Sequence, residues 1–185
     1  MAQPQQKKTA RAIRSHKDPS LEYFLVEKLG EGSQAQIFYA KLKPRNDASQ
    51  TLDRVAVRVT PCATLLNKDS EKSSKAQDRF VEEQTAFDKI NSPFVAKQIE
   101  LIVSDNNWYS VMEFCNGGTL LDLIGMRGYL HEQEAWYIMK QILWGMKSLV
   151  DNKYVHRDLK ADNILLHFPA NGNNRIPKKT LFSMY

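Results

Sequence analysis

The chain has 185 residues, 42% apolar and 25% charged, which is room for one globular domain of ordinary size with a real core. No apolar run approaches the roughly 18 residues that a membrane helix needs, and the opening stretch MAQPQQKKTARAIRSHK has no apolar centre of the kind a secretory signal carries. Two cysteines, Cys62 and Cys115, are too few for a disulfide framework and stand in no metal-ligand spacing, which points to a reducing compartment.

The net charge is +5, and the surplus lies in the ends. Lys7, Lys8, Arg11, Arg14 and Lys17 face only Asp18, and Arg175, Lys178 and Lys179 meet no acid after residue 163. A nucleic-acid binder would carry such charge on a folded face. Here it reads as solvated termini. An acid-poor, arginine-bearing start also suits a mitochondrial transit peptide, but it lacks a clear apolar face.

In chain order, residues 1–20 read as a disordered basic tail. Leu21–Leu29 and Ala35–Leu42 have strand character around a glycine turn, and Val55–Thr60 (VAVRVT) alternates as a third strand. Residues 66–75 form a charged linker. Ala76, Phe80, Glu83, Phe87 and Ile90 then step by 4, 3, 4 and 3, which predicts one helical face with a carboxylate in its middle. Strand-like runs follow at Phe94–Val103 and Trp108–Phe114. After Asn116-Gly117-Gly118 the pattern turns helical, first over Leu120–Met126 and then over 131–150, where Ala135, Ile138, Ile142, Met146 and Leu149 share a stripe. Trp108, Trp136 and Trp144 are expected as core or interface aromatics. Ile164–His167 reads as a strand with a turn at Ala170–Asn174, after which the pattern dissolves. The order of elements predicts an α+β chain, a small sheet-bearing lobe followed by a helical one.

Two motifs carry chemistry. LGEGSQAQI places Gly30 and Gly32 in a strand–turn–strand setting, with Ala35 where a third glycine would complete G-x-G-x-x-G. Such a turn lets backbone N–H groups approach phosphate oxygens, and it equally suits an ordinary hairpin. The specific signal is VHRDLKADN at 155–163. It resembles the catalytic loop H-R-D-L-x-x-x-N of eukaryotic protein kinases. The glycine turn, a VAVR strand similar to V-A-I-K, the Glu-bearing helix and the hinge-like MEFCNGG precede it in the family's order. The resemblance covers residues 21–166.

The resemblance implies a two-lobe kinase-like domain over 21–185, with an N-lobe at 21–112, a hinge at 113–118 and a partial C-lobe at 119–185. It implies ATP and Mg²⁺, a protein substrate and cytoplasmic placement, with neither nucleic acid nor membrane as partner. By resemblance Asp158 takes or orients the proton of the substrate hydroxyl. Lys160 steadies the γ-phosphate, as in serine/threonine enzymes, and Asn163 offers its amide oxygen to Mg²⁺. His156 is a packed structural histidine, and Arg157 resembles the arginine that pairs with a phosphorylated activation loop. Adenine would sit between the lobes, with Ile37 and Ala56 as its roof and Leu165 as its floor. The Glu113 carbonyl and the Cys115 amide would read it, beside Met112. Leu29, Gly30 and Gly32 would cover the phosphates.

Two departures bear on activity. Arg58 stands where the family places the lysine that bonds the phosphates and pairs with the helix glutamate, here Glu83. A planar guanidinium is a poor substitute for a compact ammonium. No Asp or Glu follows Asp162, so the D-F-G acid that supplies the second metal ligand is missing. The expectation is a serine/threonine kinase fragment ending before D-F-G. The alternative is a pseudokinase or regulatory nucleotide-binding or scaffold module without phosphoryl transfer.

Overall fold

The computed structural model describes residues 12–32, 35–47, 49–62, 81–82 and 90–168, together with the backbone of 179–182. The chain falls into two compact units, residues 1–78 with 100–112, and residues 79–99 with 113–185.

The sheet has six strands: β1 (Ala12–Arg14), β2 (Leu21–Glu31), β3 (Gln36–Pro44), β4 (Asp53–Pro61), β5 (Gln98–Val103) and β6 (Asn107–Glu113), in the order β1-β2-β3-β4-β6-β5. β1, β2, β3 and β4 pair antiparallel in sequence. β4 is rich in β-branched residues, which favour a strand. Its Val55, Ala56 and Val57 are all buried, with Tyr23, Ala40, Ile102, Trp108 and Val111 in the same unit.

Residues 12–20 correct the expected disordered tail. Ala12, Ile13 and Arg14 pair with Phe24, Tyr23 and Glu22, and Ile13 is buried. What holds them is Glu100 of β5, only 2% exposed. It accepts from Ser15 Oγ (2.9 Å), the His16 N–H (2.5 Å), the Lys17 N–H (2.7 Å) and the Tyr23 hydroxyl (2.9 Å). Burial pushes this carboxyl up, but the backbone N–H of Lys17 and the hydroxyls of Ser15 and Tyr23 outweigh it and hold Glu100 below the usual carboxylate range. Burial, then the bond to Glu100, pushes the Tyr23 phenol up. A buried acid is tolerable here because its lone pairs are filled.

The strand expected over Phe94–Val103 begins at Gln98. Before it the chain turns, with the Phe94 N–H on Ser92 Oγ at 3.3 Å. The helix expected over 76–90 lies outside the described residues, apart from Val81 and Glu82, which are helical.

The second unit holds α1 (Leu120–Arg127) and α2 (Glu132–Asp151). Thr119 and Asp122 cap α1 reciprocally: Thr119 Oγ1 accepts from the Asp122 N–H at 3.0 Å, and the Asp122 carboxylate accepts from the Thr119 N–H at 2.8 Å. Gly128, at φ 78°, ends the helix. Arg127 and the buried Glu134 join α1 to α2 at 2.5 Å.

On α2, Ile138, Ile142 and Leu149 are buried as expected, whereas Met146 is exposed and Gln141 and Gly145 are buried instead. Ile138 and Ile142 pack with Leu123, Ile164 and Leu166, and Leu149 packs with Ile90 and Val95. Trp136 and Trp144 are half exposed, so of the three tryptophans only Trp108 is core. A 3₁₀ turn at Ala161–Asn163 leads into β7 (Ile164–His167).

The pattern does not dissolve after residue 174. β8 (Lys179–Phe182) pairs antiparallel with β7, with Ile164 opposite Phe182 and His167 opposite Lys179. A four-residue strand carries little periodic signal alone; its β-prone Thr-Leu-Phe core is recruited by the open edge of β7. The turn expected at Ala170–Asn174 lies outside the described residues. Among the described residues no helix is long and apolar enough to cross a membrane.

Candidate active site

The predicted site residues fall into two groups, one per unit. In the sheet, Gly30, Ile37 and Arg58 lie in one row across β2, β3 and β4: Gly30 pairs with Ile37, and Ile37 with Arg58. Leu29 is the extra residue of a bulge between Lys28 and Gly30, which leaves it half exposed. The Gly32 N–H donates to the Ala35 carbonyl at 2.9 Å, closing the turn. Ala56, buried, pairs with Tyr39 two positions along from that row. Met112 is buried in β6. Glu83 lies outside the described residues, and with it the expected Arg58–Glu83 pair.

The second group gathers on the loop between α2 and β7. The Asp158 carboxylate accepts from Lys160 Nζ at 2.8 Å and from Asn163 Nδ2 at 3.0 Å. The same Asn163 nitrogen donates to the Asp158 main-chain carbonyl at 2.8 Å. Asn163 is buried, whereas the Asp158 and Lys160 side chains are half exposed. A deep carboxamide thus orients a carboxylate that faces solvent.

The backbone is bent to make this possible. Arg157 stands at φ 62°, a conformation that non-glycine residues adopt rarely and at some cost. The Asp158 N–H donates to Nδ1 of the half-buried His156 at 3.3 Å. The hydrogen bond from Lys160, then that from Asn163, holds the Asp158 carboxyl below the usual carboxylate range. Asp158 in return pushes the Lys160 ammonium up, through the bond and then its charge. Both groups are therefore ionised at neutral pH.

The expected hinge begins at Glu113. Its N–H donates to the Lys97 carbonyl at 3.0 Å, and its carboxylate accepts from the Lys97 N–H at 2.8 Å. Cys115 is half-buried and not in a disulfide. Leu165 lies in β7, where it bridges to Thr119.

Among the described residues no three His, Cys, Asp or Glu side chains group as a metal site. The donors present suit a magnesium ion that arrives on a triphosphate, which takes one or two protein oxygens and completes its shell with phosphate and water. Asn163 fits that part, since its nitrogen is committed to Asp158 and its carboxamide is thereby fixed.

Sequence reasoning missed three arrangements. The Glu100 clasp hides in an apolar run, QIELIV. The Thr119–Asp122 cap was legible as T-x-x-D before an apolar stretch. The third is Asn116, whose side chain pairs both ways with the backbone of Phe168.

The model of the protein kinase domain matches residues 23–177. Among curated proteins the chain is similar to a carbon catabolite-derepressing protein kinase of Secale cereale, 30% identical over 151 residues, which is 82% of this chain and 28% of the relative. It is similar to serine/threonine protein kinase OSK3 of Oryza sativa subsp. indica, 31% identical over 82% of this chain and 27% of the relative. It is also similar to the SNF1-related protein kinase catalytic subunit alpha KIN12 of Arabidopsis thaliana, 32% identical over 80% of this chain and 28% of the relative. The chain spans less than a third of the length of these relatives.

Proposed function

Because the chain belongs to the eukaryotic protein kinase family, serine/threonine type, we propose that it binds Mg·ATP and serves transfer of the γ-phosphoryl group to a serine or threonine hydroxyl of a protein. One observation carries the reading: an ionised, solvent-facing Asp158 is held between Lys160 and the buried Asn163. Phosphoryl transfer asks for positioning and charge neutralisation, and these three groups supply both.

In the proposed step the substrate oxygen attacks the γ-phosphorus and gives its proton to the Asp158 carboxylate, at the oxygen not taken by Lys160 and Asn163. The bond from phosphorus to the β–γ bridging oxygen breaks, and ADP leaves with the electron pair. Lys160 offsets charge on the transferring group, and Asn163 presents its carboxamide oxygen to the ion on the phosphates. When bound beside Asn163, Mg²⁺ would supply neutralisation of the phosphate charge. Gly30 and Gly32 allow backbone to approach the phosphates. In the second unit Leu165 offers apolar contact to the base, and the Glu113 carbonyl and Cys115 N–H its hydrogen bonds. Cytosolic placement belongs to the same proposal.

A second reading is favoured by Arg58. It occupies the β4 position in line with Gly30 and Ile37, where a wide guanidinium aligns phosphates less well than an ammonium. On that reading the chain binds nucleotide or a partner without transfer. Transfer of ³²P from Mg·ATP to a basic acceptor protein separates the two. Under the first reading the signal vanishes with Asp158→Asn and rises with Arg58→Lys. Mg·ATP binding with no transfer in either chain supports the second.

A further inference from the structure

The nucleotide reading leaves unexplained how the base-reading segment and the metal-ligating residue keep a fixed distance. Both lie in the second unit, and the fold ties them at one place. Asn116 follows Cys115 directly. Its Nδ2 donates to the Phe168 carbonyl at 3.0 Å, and its Oδ1 accepts from the Phe168 N–H at 2.8 Å. The side-chain amide thus imitates a strand backbone. The ladder continues through the Gly117 N–H to the Leu166 carbonyl and the Leu166 N–H to the Gly118 carbonyl, both 2.9 Å, and ends at the Thr119–Leu165 bridge. The approach is close: a Cβ on Gly117 would meet the Phe168 ring at 2.5 Å and the Leu166 carbonyl oxygen at 2.7 Å.

We propose that Asn116 is a positioning residue for the nucleotide. By pairing both ways with Phe168 it sets the register of β7, and so of Leu165 and Asn163, against the segment that carries Glu113 and Cys115. The proposal rests on the nucleotide reading above. The residue type is specific to the task. A carboxamide both donates and accepts, whereas a carboxylate only accepts and would face the Phe168 carbonyl.

Burial separates this role from a merely structural one. Asn116 is exposed, so its two bonds compete with water and contribute little to global stability. The β7 core residues Ile164 and Leu166 are buried and hold the fold without it. Loss of Asn116 therefore relaxes register before it unfolds anything.

The test is calorimetric titration of the 185-residue chain with Mg·ATP, alongside thermal melting, for the wild type, Asn116→Ala and Asn116→Asp. The dissociation constant should rise about fivefold in Asn116→Ala and at least as much in Asn116→Asp, with stoichiometry and melting temperature unchanged. Unchanged affinity in both variants overturns the proposal. So does an affinity loss that tracks a lowered melting temperature or stoichiometry, which would make Asn116 structural. A wild-type chain that binds no Mg·ATP overturns the nucleotide reading itself and the positioning role with it. Only the third result involves the wild type, so the two failures are distinguishable.

Discussion

One nitrogen of Asn163 bonds Asp158 twice, at 2.8 Å to its main-chain carbonyl and at 3.0 Å to its carboxylate. Because Asn163 is buried and Asp158 half exposed, the carboxamide fixes both the loop and the direction of the acid. Replacing Asn163 with Ala removes both bonds and leaves the Asp158 main-chain carbonyl short of one partner. The expected cost is about 1–2 kcal/mol, read as a lower urea midpoint at unchanged slope. An unchanged midpoint would mean that water fills the place of the carboxamide.

The Lys160–Asp158 pair predicts a direction of pH dependence. Lys160 is the first cause that holds the Asp158 carboxyl down, and Asn163 the second. A depressed folded value means that the carboxylate persists as pH falls below the usual carboxylate range and protonates only at the folded value. Lys160→Met removes the larger cause, so Asp158 should titrate at higher pH. The measurement is the carboxyl carbon shift of Asp158 by NMR across pH 2–6, a window set by the ordinary carboxylate value near 4. A titration that stays in place in Lys160→Met would show that Asn163 alone sets it.

Glu100 should matter to the fold rather than to chemistry. Its carboxylate gathers Ser15, His16, Lys17 and Tyr23, so Glu100→Ala strands the two buried hydroxyls of Ser15 and Tyr23 at once. A loss of about 2–4 kcal/mol is expected, with faster amide exchange over Ala12–Arg14. The folded carboxyl lies below its usual range, so this contribution is present above the unfolded value and is lost as pH falls through the folded one. Wild type should therefore lose stability more steeply than Glu100→Ala on acidification through that window. Parallel curves would contradict the assignment.

Periodic and short-range features were legible in the sequence. β4 announced itself by β-branched residues, α2 by the steps among Ile138, Ile142 and Leu149, and the loop before β7 by eight adjacent letters that resemble the kinase catalytic motif. Arrangements that depend on distant partners were not. Glu100 and Ser15 lie 85 positions apart, and nothing local marks an acid in an apolar strand as the anchor of an N-terminal strand. β1 is three residues long and exists because β2 offers an edge. Met146 reads as core by spacing, yet the helix turns the neighbouring stripe through Gly145 inward. Asn116 looks like an ordinary turn residue until Phe168 is placed beside it.

The outer face of α2 has a consequence for the isolated chain. Trp136, Met139, Leu143, Met146 and Val150 step by 3, 4, 3 and 4, and all five are exposed, Val150 by 65% and Met146 by 37%. This is a second apolar stripe beside the buried one, flanked by Lys140, whose ammonium lies 3.7 Å from the Trp136 ring centre. At about 1.5–3 kcal/mol for full burial of a large side chain, and with about half of each already covered, roughly 4–8 kcal/mol awaits whatever covers it. Ordinary monomers rarely leave such a strip open. The 185-residue chain should bind an apolar dye and self-associate as its concentration rises, with a melt below about 50 °C. The double change Met139→Lys with Leu143→Lys should suppress dye binding and association while shifting stability by no more than about 0.5 kcal/mol, because both side chains face solvent. Sedimentation of the two chains side by side reads the difference. A wild-type chain that stays monomeric, excludes the dye and melts cooperatively above that temperature would show that the stripe exerts no such pull.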